Sequence, residues 1–195
     1  MSIYKSASIV PYYKKDGQYL YLLAHEKGNN YCGSFGGRMD PSDKNNTWTN
    51  ACREMGEELW GLDLHSDPKV LNNYVYQVKK KAQARKVGIP NRKKKHYLYY
   101  CPVEDIILKP GVFPDNIRQK FKSNKEIKKI HWVRGEDLWK AVSKADGKKL
   151  YGKYRHRAWV PVYNEDRKTK VELRPCFLDS CLYVYRRGMI KRWEK

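Results

Sequence analysis

Arg53, Glu54, Glu57 and Glu58 fall within a single six-residue segment, and their types and spacing could do chemistry. The surrounding stretch, GGRMDPSDKNNTWTNACREMGEELWGL over residues 36–62, predicts a helix beginning near Thr47 or Thr49. Helical spacing of three and four residues puts Glu54, Glu57 and Glu58 on one face. Ala51, Cys52, Met55 and Leu59 then form the opposite, buried face. Three carboxylates on one patch repel and raise one another's pKa unless a cation sits among them. Hard divalent ions with oxygen ligands, Mg²⁺ or Mn²⁺, are the natural occupants. Most glutamate-rich helices present no more than a solvated acidic face. This cluster differs in lying within a strongly basic chain. It also follows Gly36-Gly37, which ends an apolar, strand-like run where backbone can approach a ligand closely.

At these residues the sequence resembles the Nudix hydrolases, whose signature is G-x5-E-x7-R-E-U-x-E-E-x-G-U with U aliphatic. Gly37 matches the leading glycine, and Arg53-Glu54-Met55-Gly56-Glu57-Glu58 matches R-E-U-x-E-E residue for residue. The gap from Gly37 to Arg53 is two residues longer than the pattern, and Asp43 or Asp40 stands for its intermediate glutamate. The closing glycine, Gly61, comes one residue late. Both departures fall in the loops beside the helix. The resemblance implies an α+β fold, an α/β/α sandwich with a mixed central sheet. It implies metal ligation by Glu54, Glu57, Glu58 and the Gly37 carbonyl, with Glu57 or Glu126 as base. It gives Arg53 a supporting role, matching its i,i+4 relation to Glu57. Glu126 comes from a weaker part of the pattern, a glutamate before the tryptophan-containing strand, and a surface glutamate among lysines is an equal reading.

A chain of 195 residues with 41% hydrophobic content can bury one core, and no composition break divides it, so residues 1–195 read as a single domain. Five cysteines, an odd count without C-x-x-C spacing, fit reduced thiols, no disulfides and a cytoplasmic setting. No apolar run approaches the ~20 residues that span a membrane, and the N-terminus has no secretory pattern. The formal net charge of +20 points to polyanionic partners.

In chain order, residues 6–13 and 18–24 read as strands joined at Asp16-Gly17, a strong hairpin signal. Residues 25–33 read as a loop, and 73–78 as a strand. The stretch 79–95 carries nine basic residues and no acidic one, and reads as a loop before an aromatic strand at 96–101. Such a loop is solvated surface or a phosphate grip, the second favoured here by its place on a β scaffold. Its candidates are Arg85, Lys86, Arg92, Lys93, Lys94 and Lys95. Residues 109–124 read as loop and short helix, 127–133 as a strand, 135–143 as a helix, and 158–163 with 170–173 as a hairpin. A C-terminal helix is expected at about 174–193.

The resemblance makes the activity hydrolysis of a P–O–P linkage. Capped mRNA comes first among substrates because the basic surface exceeds what a mononucleotide needs, and basic decapping Nudix enzymes, including those of large DNA viruses, fit this profile. Cleavage would release a methylated guanosine diphosphate, in the host cytoplasm if the chain is viral. Tyr4, Tyr12, Tyr31 and Trp48 are aromatic candidates for stacking on the cap base, though core or surface roles suit each of them better. Second come diphosphoinositol polyphosphates, dinucleoside polyphosphates and coenzyme A. A non-catalytic RNA-binding protein on the same fold is the reading of a different class, and the complete R-E-U-x-E-E segment ranks it below catalysis.

Overall fold

Asp16 and Gly17 both take positive φ and turn the first hairpin, joining β1 (Ser6–Lys15) to β2 (Gln18–Glu26). A computed structural model describes residues 4–64, 68–82, 87–107, 110–163, 165, 168–190 and 194. Two short strands follow, β3 (Tyr31–Gly33) and β4 (Phe35–Arg38), so the expected loop at 25–33 is in part strand. One turn of 3-10 helix at Pro41–Asp43 leads into α1 (Thr47–Trp60). Then come α2 (Pro68–Ala82), β5 (Val87–Asn91) and β6 (His96–Pro102). Short helices α3 (Val103–Ile106) and α4 (Ile117–Lys120) precede β7 (Ile127–Arg134) and α5 (Gly135–Lys144). The hairpin β8 (Trp159–Pro161) and β9 (Lys170–Leu173) precedes the last helix, α6 (Pro175–Arg186).

The strands form one mixed sheet in the order β5-β6-β1-β2-β3-β9-β8, with β4 paired to β1 and β7 to β2. β1 pairs β6 in parallel and β2 and β4 antiparallel, so three strands fix its position. Strand alternation sends neighbouring residues to opposite faces. Ile9, Leu22 and Trp132 join one core with Phe35, Met55 and Leu59 under α1 and α2. Val10, Leu23 and Val133 join the other with Leu138, Val142, Phe177 and Leu182 under α5 and α6. Helices thus cover both faces, and the chain forms the expected α+β sandwich.

Three further expectations need correction. Residues 73–78 are helical, not a strand: Tyr74, Val75 and Tyr76 have strand-like composition, but Leu71, Tyr74 and Val78 are buried while Tyr76 is exposed, a spacing of three and four. The basic stretch 79–95 is not one loop. Residues 79–82 finish α2, 87–91 form β5 against β6, and a turn at 92–95 closes that hairpin. The last helix stops at Arg186, where Gly188 takes positive φ, rather than running to about 193. Arg85, Lys86 and residues 191–193 lie outside the described residues.

Candidate active site

α1 starts and stops on local chemistry. The Asn46 side chain accepts hydrogen bonds from the Trp48 and Thr49 amides, and Gly61, left-handed at φ 64°, donates to the Glu57 and Gly56 carbonyls. Gly56 lets the next segment close on the helix, since a β-carbon there would lie 2.7 Å from Leu64 Cδ1. The opposite side of α1 lies against β4, where the Gly36 amide donates to Glu58 Oε2 at 2.8 Å. A β-carbon on Gly37 would stand 2.5 Å from Glu54 Oε2, so only glycine leaves room for that carboxylate. The Gly-Gly pair is therefore the floor on which Glu54 and Glu58 rest.

Arg53 organises the cluster from beneath. Its side chain is 1% exposed. Nε donates to Asp43 Oδ1 at 3.0 Å and Nη2 to Asp43 Oδ2 at 3.1 Å, a bidentate pair with a fully buried partner. Nη1 reaches Glu57 Oε2 at 3.0 Å and Nη2 reaches Glu54 Oε1 at 2.8 Å. The same Nη2 and the Asn50 side chain both donate to the Arg38 carbonyl, tying β4 to the helix. Burial alone would lower the pKa of Arg53, but the Asp43 bond and the charges of Glu54, Asp43 and Glu57 outweigh it and keep it protonated. Of the two aspartates the loop offers, Asp43 reaches Arg53. Asp40 caps the 3-10 turn, accepting from the Ser42 amide.

One guanidinium does not balance Asp43, Glu54, Glu57 and Glu58. Burial, first, and then the charges of Glu54, Glu126 and Glu26 push the Glu58 carboxyl well above the usual range, although the Gly36 N–H opposes them. Glu54 is raised as well, by burial first and by Glu57 and Glu126 against the pull of Arg53. Glu126 is exposed and close enough for its charge to be felt by both. Asn124 puts it there. The Asn124 side-chain amide donates to the Glu58 carbonyl at 2.6 Å, and its oxygen accepts from the Glu126 and Ile127 amides. Sequence reasoning missed Asn124, whose only signal was its place just before Glu126.

Beside this cluster opens a cleft of about 290 Å³ with Gly36, Gly37, Arg38, Lys94, His96 and Arg174 among its lining. Ser6 Oγ and Ser8 Oγ sit 2.8 and 3.0 Å from the two ring nitrogens of His96, and Ser34 donates to Ser8. Burial, with Arg174 nearby, lowers His96 to about 4, so the ring is neutral. Arg38, Lys94 and Arg174 bring positive charge to the mouth, Arg174 paired with Glu26 and Lys94 with Asp179. A larger cleft of about 870 Å³ runs along β7; the α1 carboxylates line neither cleft, and the smaller one meets them through Gly36 and Gly37.

The structure brings Gly37, Arg53, Glu54, Glu57, Glu58 and Glu126 together. Of the basic candidates, Lys94 lines the cleft and pairs with Asp179 at 3.3 Å, while Arg92, Lys93 and Lys95 are exposed in the turn before β6. The four aromatics line no part of this cleft: Tyr12 stacks on Tyr100, Tyr4 meets Tyr97 edge-on, Trp48 is buried against Tyr99, and Tyr31 is taken by Arg155. None of the five cysteines forms a disulfide among the described residues. No helix among the described residues is long and apolar enough to cross a membrane.

No family model and no curated protein sequence matches the chain. Solved structures do resemble it. A C. elegans Ap4A hydrolase in a binary complex shares 18% identity over 74% of this chain and 87% of its own, with a TM-score of 0.40. A MutT/nudix family protein from Enterococcus faecalis shares 14% identity over 94% of this chain and 61% of its own, with a TM-score of 0.43.

Proposed function

We propose that this protein is a Nudix-type pyrophosphohydrolase that cleaves a P–O–P linkage in a polyanionic substrate. One observation carries the reading: four carboxylates, Glu54, Glu57, Glu58 and Glu126, gather about Gly36 and Gly37, which line a cationic cleft, with Glu54 and Glu58 raised by burial and mutual charge. That donor set is all oxygen and short of positive charge, which fits Mg²⁺ or Mn²⁺. Such an ion, held by Glu54, Glu57, Glu58 and the Gly37 carbonyl, would neutralise diphosphate oxygens and acidify water.

The chain's own groups do the rest. Arg53 holds Glu57 in one orientation through Nη1. Glu57 or Glu126 takes the proton from the attacking water as its oxygen bonds to one phosphorus. The bridging oxygen leaves with the second phosphorus, giving two phosphorylated products. Arg38, Lys94 and Arg174 attract the phosphates and steady the charge that develops on them.

Capped RNA is the substrate the charge favours. The net charge of +20 exceeds the need of a small ligand, and the Arg92–Lys95 turn extends the cationic mouth for a trailing chain. The expected setting is a reducing cytoplasm. The small cleft without the aromatic candidates supports a second reading, a compact polyphosphate such as a dinucleoside polyphosphate or a diphosphoinositol polyphosphate. Incubation with Mn²⁺ and cap-labelled RNA, beside free cap analogue and both small polyphosphates, decides between them. Labelled diphosphate released from long RNA alone supports decapping. Turnover of a small polyphosphate alone selects the second reading, and turnover of nothing, with tight RNA binding, refutes the enzyme.

A further inference from the structure

We infer that His25, Cys32 and His131 form a site for one thiophilic divalent ion of the zinc class, distinct from the carboxylate centre on α1. The sheet places them together. His25 lies opposite Cys32 across β2 and β3. On the other side of β2, Lys129 is opposite His25 and His131 opposite Leu23, so His131 shares the face of His25 two residues along. One donor atom from each of the three lies within 4.8 Å of the others. His25 Nδ1 and His131 Nε2 are 3.3 Å apart, about the nitrogen–nitrogen edge of a tetrahedron with Zn–N bonds of roughly 2.0–2.1 Å.

The chemistry of the three groups fits such an ion. Burial, then charges around His25 and His131 that include Lys129, lowers both imidazoles, His131 to about 4, so each ring is neutral at neutral pH with one lone pair to give, and an ion would replace the hydrogen bond the rings share. Burial raises the Cys32 thiol to about 12. Metal binding would release that proton as a sulfur–metal bond forms. His25 and His131 also line the 870 Å³ cleft along β7, which leaves a fourth coordination position to water. Lys128, Lys129, Lys170 and Arg118 outnumber Asp115 and Glu165 in the lining of that cleft, and Arg118 pairs with Glu165, so the surroundings disfavour a cation held by charge alone. The site therefore selects an ion that bonds to sulfur and nitrogen and rejects Mg²⁺.

Cobalt(II) titration of the full-length, reduced, metal-stripped protein tests this without any hydrolase assay. The expected result is a thiolate-to-cobalt charge-transfer absorption with tetrahedral visible bands, saturating at one ion per chain and displaced by Zn²⁺. It is lost in Cys32→Ser and kept in Cys176→Ser and Glu58→Gln. An ion on the glutamates has only oxygen ligands and gives no thiolate band, so failure of one site is distinguishable from failure of the other. Absence of the band in the parent protein overturns the proposal, as does its persistence in Cys32→Ser. Should Cys32→Ser fail to fold by circular dichroism, His25→Asn, at a half-buried side chain, takes its place: loss of the tetrahedral bands supports the site and unchanged bands overturn it.

Discussion

Asp43→Asn removes one charge from the pair that anchors Arg53 and changes almost nothing in shape. The two side chains are 0% and 1% exposed, and the carboxylate accepts from both Nε and Nη2. The amide that replaces one oxygen would point N–H at N–H. Breaking a buried ion pair from one side costs about 3–5 kcal/mol. Glu54 and Glu57 still face the guanidinium, so it is not left without counter-charge. The lower edge, about 3 kcal/mol, is therefore expected. For a chain of this size each kcal/mol moves Tm by about 2–4 °C, which gives a loss of about 6–12 °C. Calorimetric melts at neutral pH with chelator present measure it free of metal binding. A drop below about 2 °C would mean that Asp43 does not hold Arg53, and the support assigned to the cluster would be wrong.

Glu57→Gln should lower hydrolysis by about 10²–10⁴-fold with little change in Tm, measured as product release under saturating Mn²⁺. Gly37→Ala should displace the Glu54 carboxylate, the movable end of a side chain, and lower turnover by about 100-fold without unfolding. Glu58 has a folded-state pKa raised above its ordinary 4.5, so the stability it favours is present at low pH and lost as pH rises through the raised value. Chelated protein should therefore lose Tm over that rise, Glu58→Gln should lose less, and Mn²⁺ should offset the loss in the parent. Changing Lys93, Lys94 and Lys95 to Gln should reduce the slope of log K for RNA against log salt by about 2 if each contacts a phosphate.

Much of the centre was legible because it is local. Asn46, the carboxylates at helical spacing and the closing Gly61 all sit within one short segment, so periodicity and capping chemistry suffice to build α1. Asp43 could be named from the same segment, but its choice over Asp40 depended on which one the 3-10 turn aims at Arg53. The α2 error came from weighing Tyr and Val composition above period. The division of the basic stretch into helix, strand and turn hid behind its charge, since lysine and arginine occur in all three. His96 and Arg174 border the cleft from 36 and 114 residues beyond the end of α1, and no local pattern announces either. His25, Cys32 and His131 come from three strands, with no spacing that resembles a metal motif, and only their registers assemble them.

The parallel pairing of β1 with β6 has a consequence for how the molecule is made. During synthesis, every carboxylate of α1 leaves the ribosome before residue 65, yet the strand that borders β1 on its far edge ends at Pro102, and Asn124 comes later still. Contacts of such long sequence separation form late. A nascent chain cut short after α1 would carry Glu54, Glu57 and Glu58 but lack Glu126, the Asn124 that positions it and the β6 edge that completes the sheet beside β1.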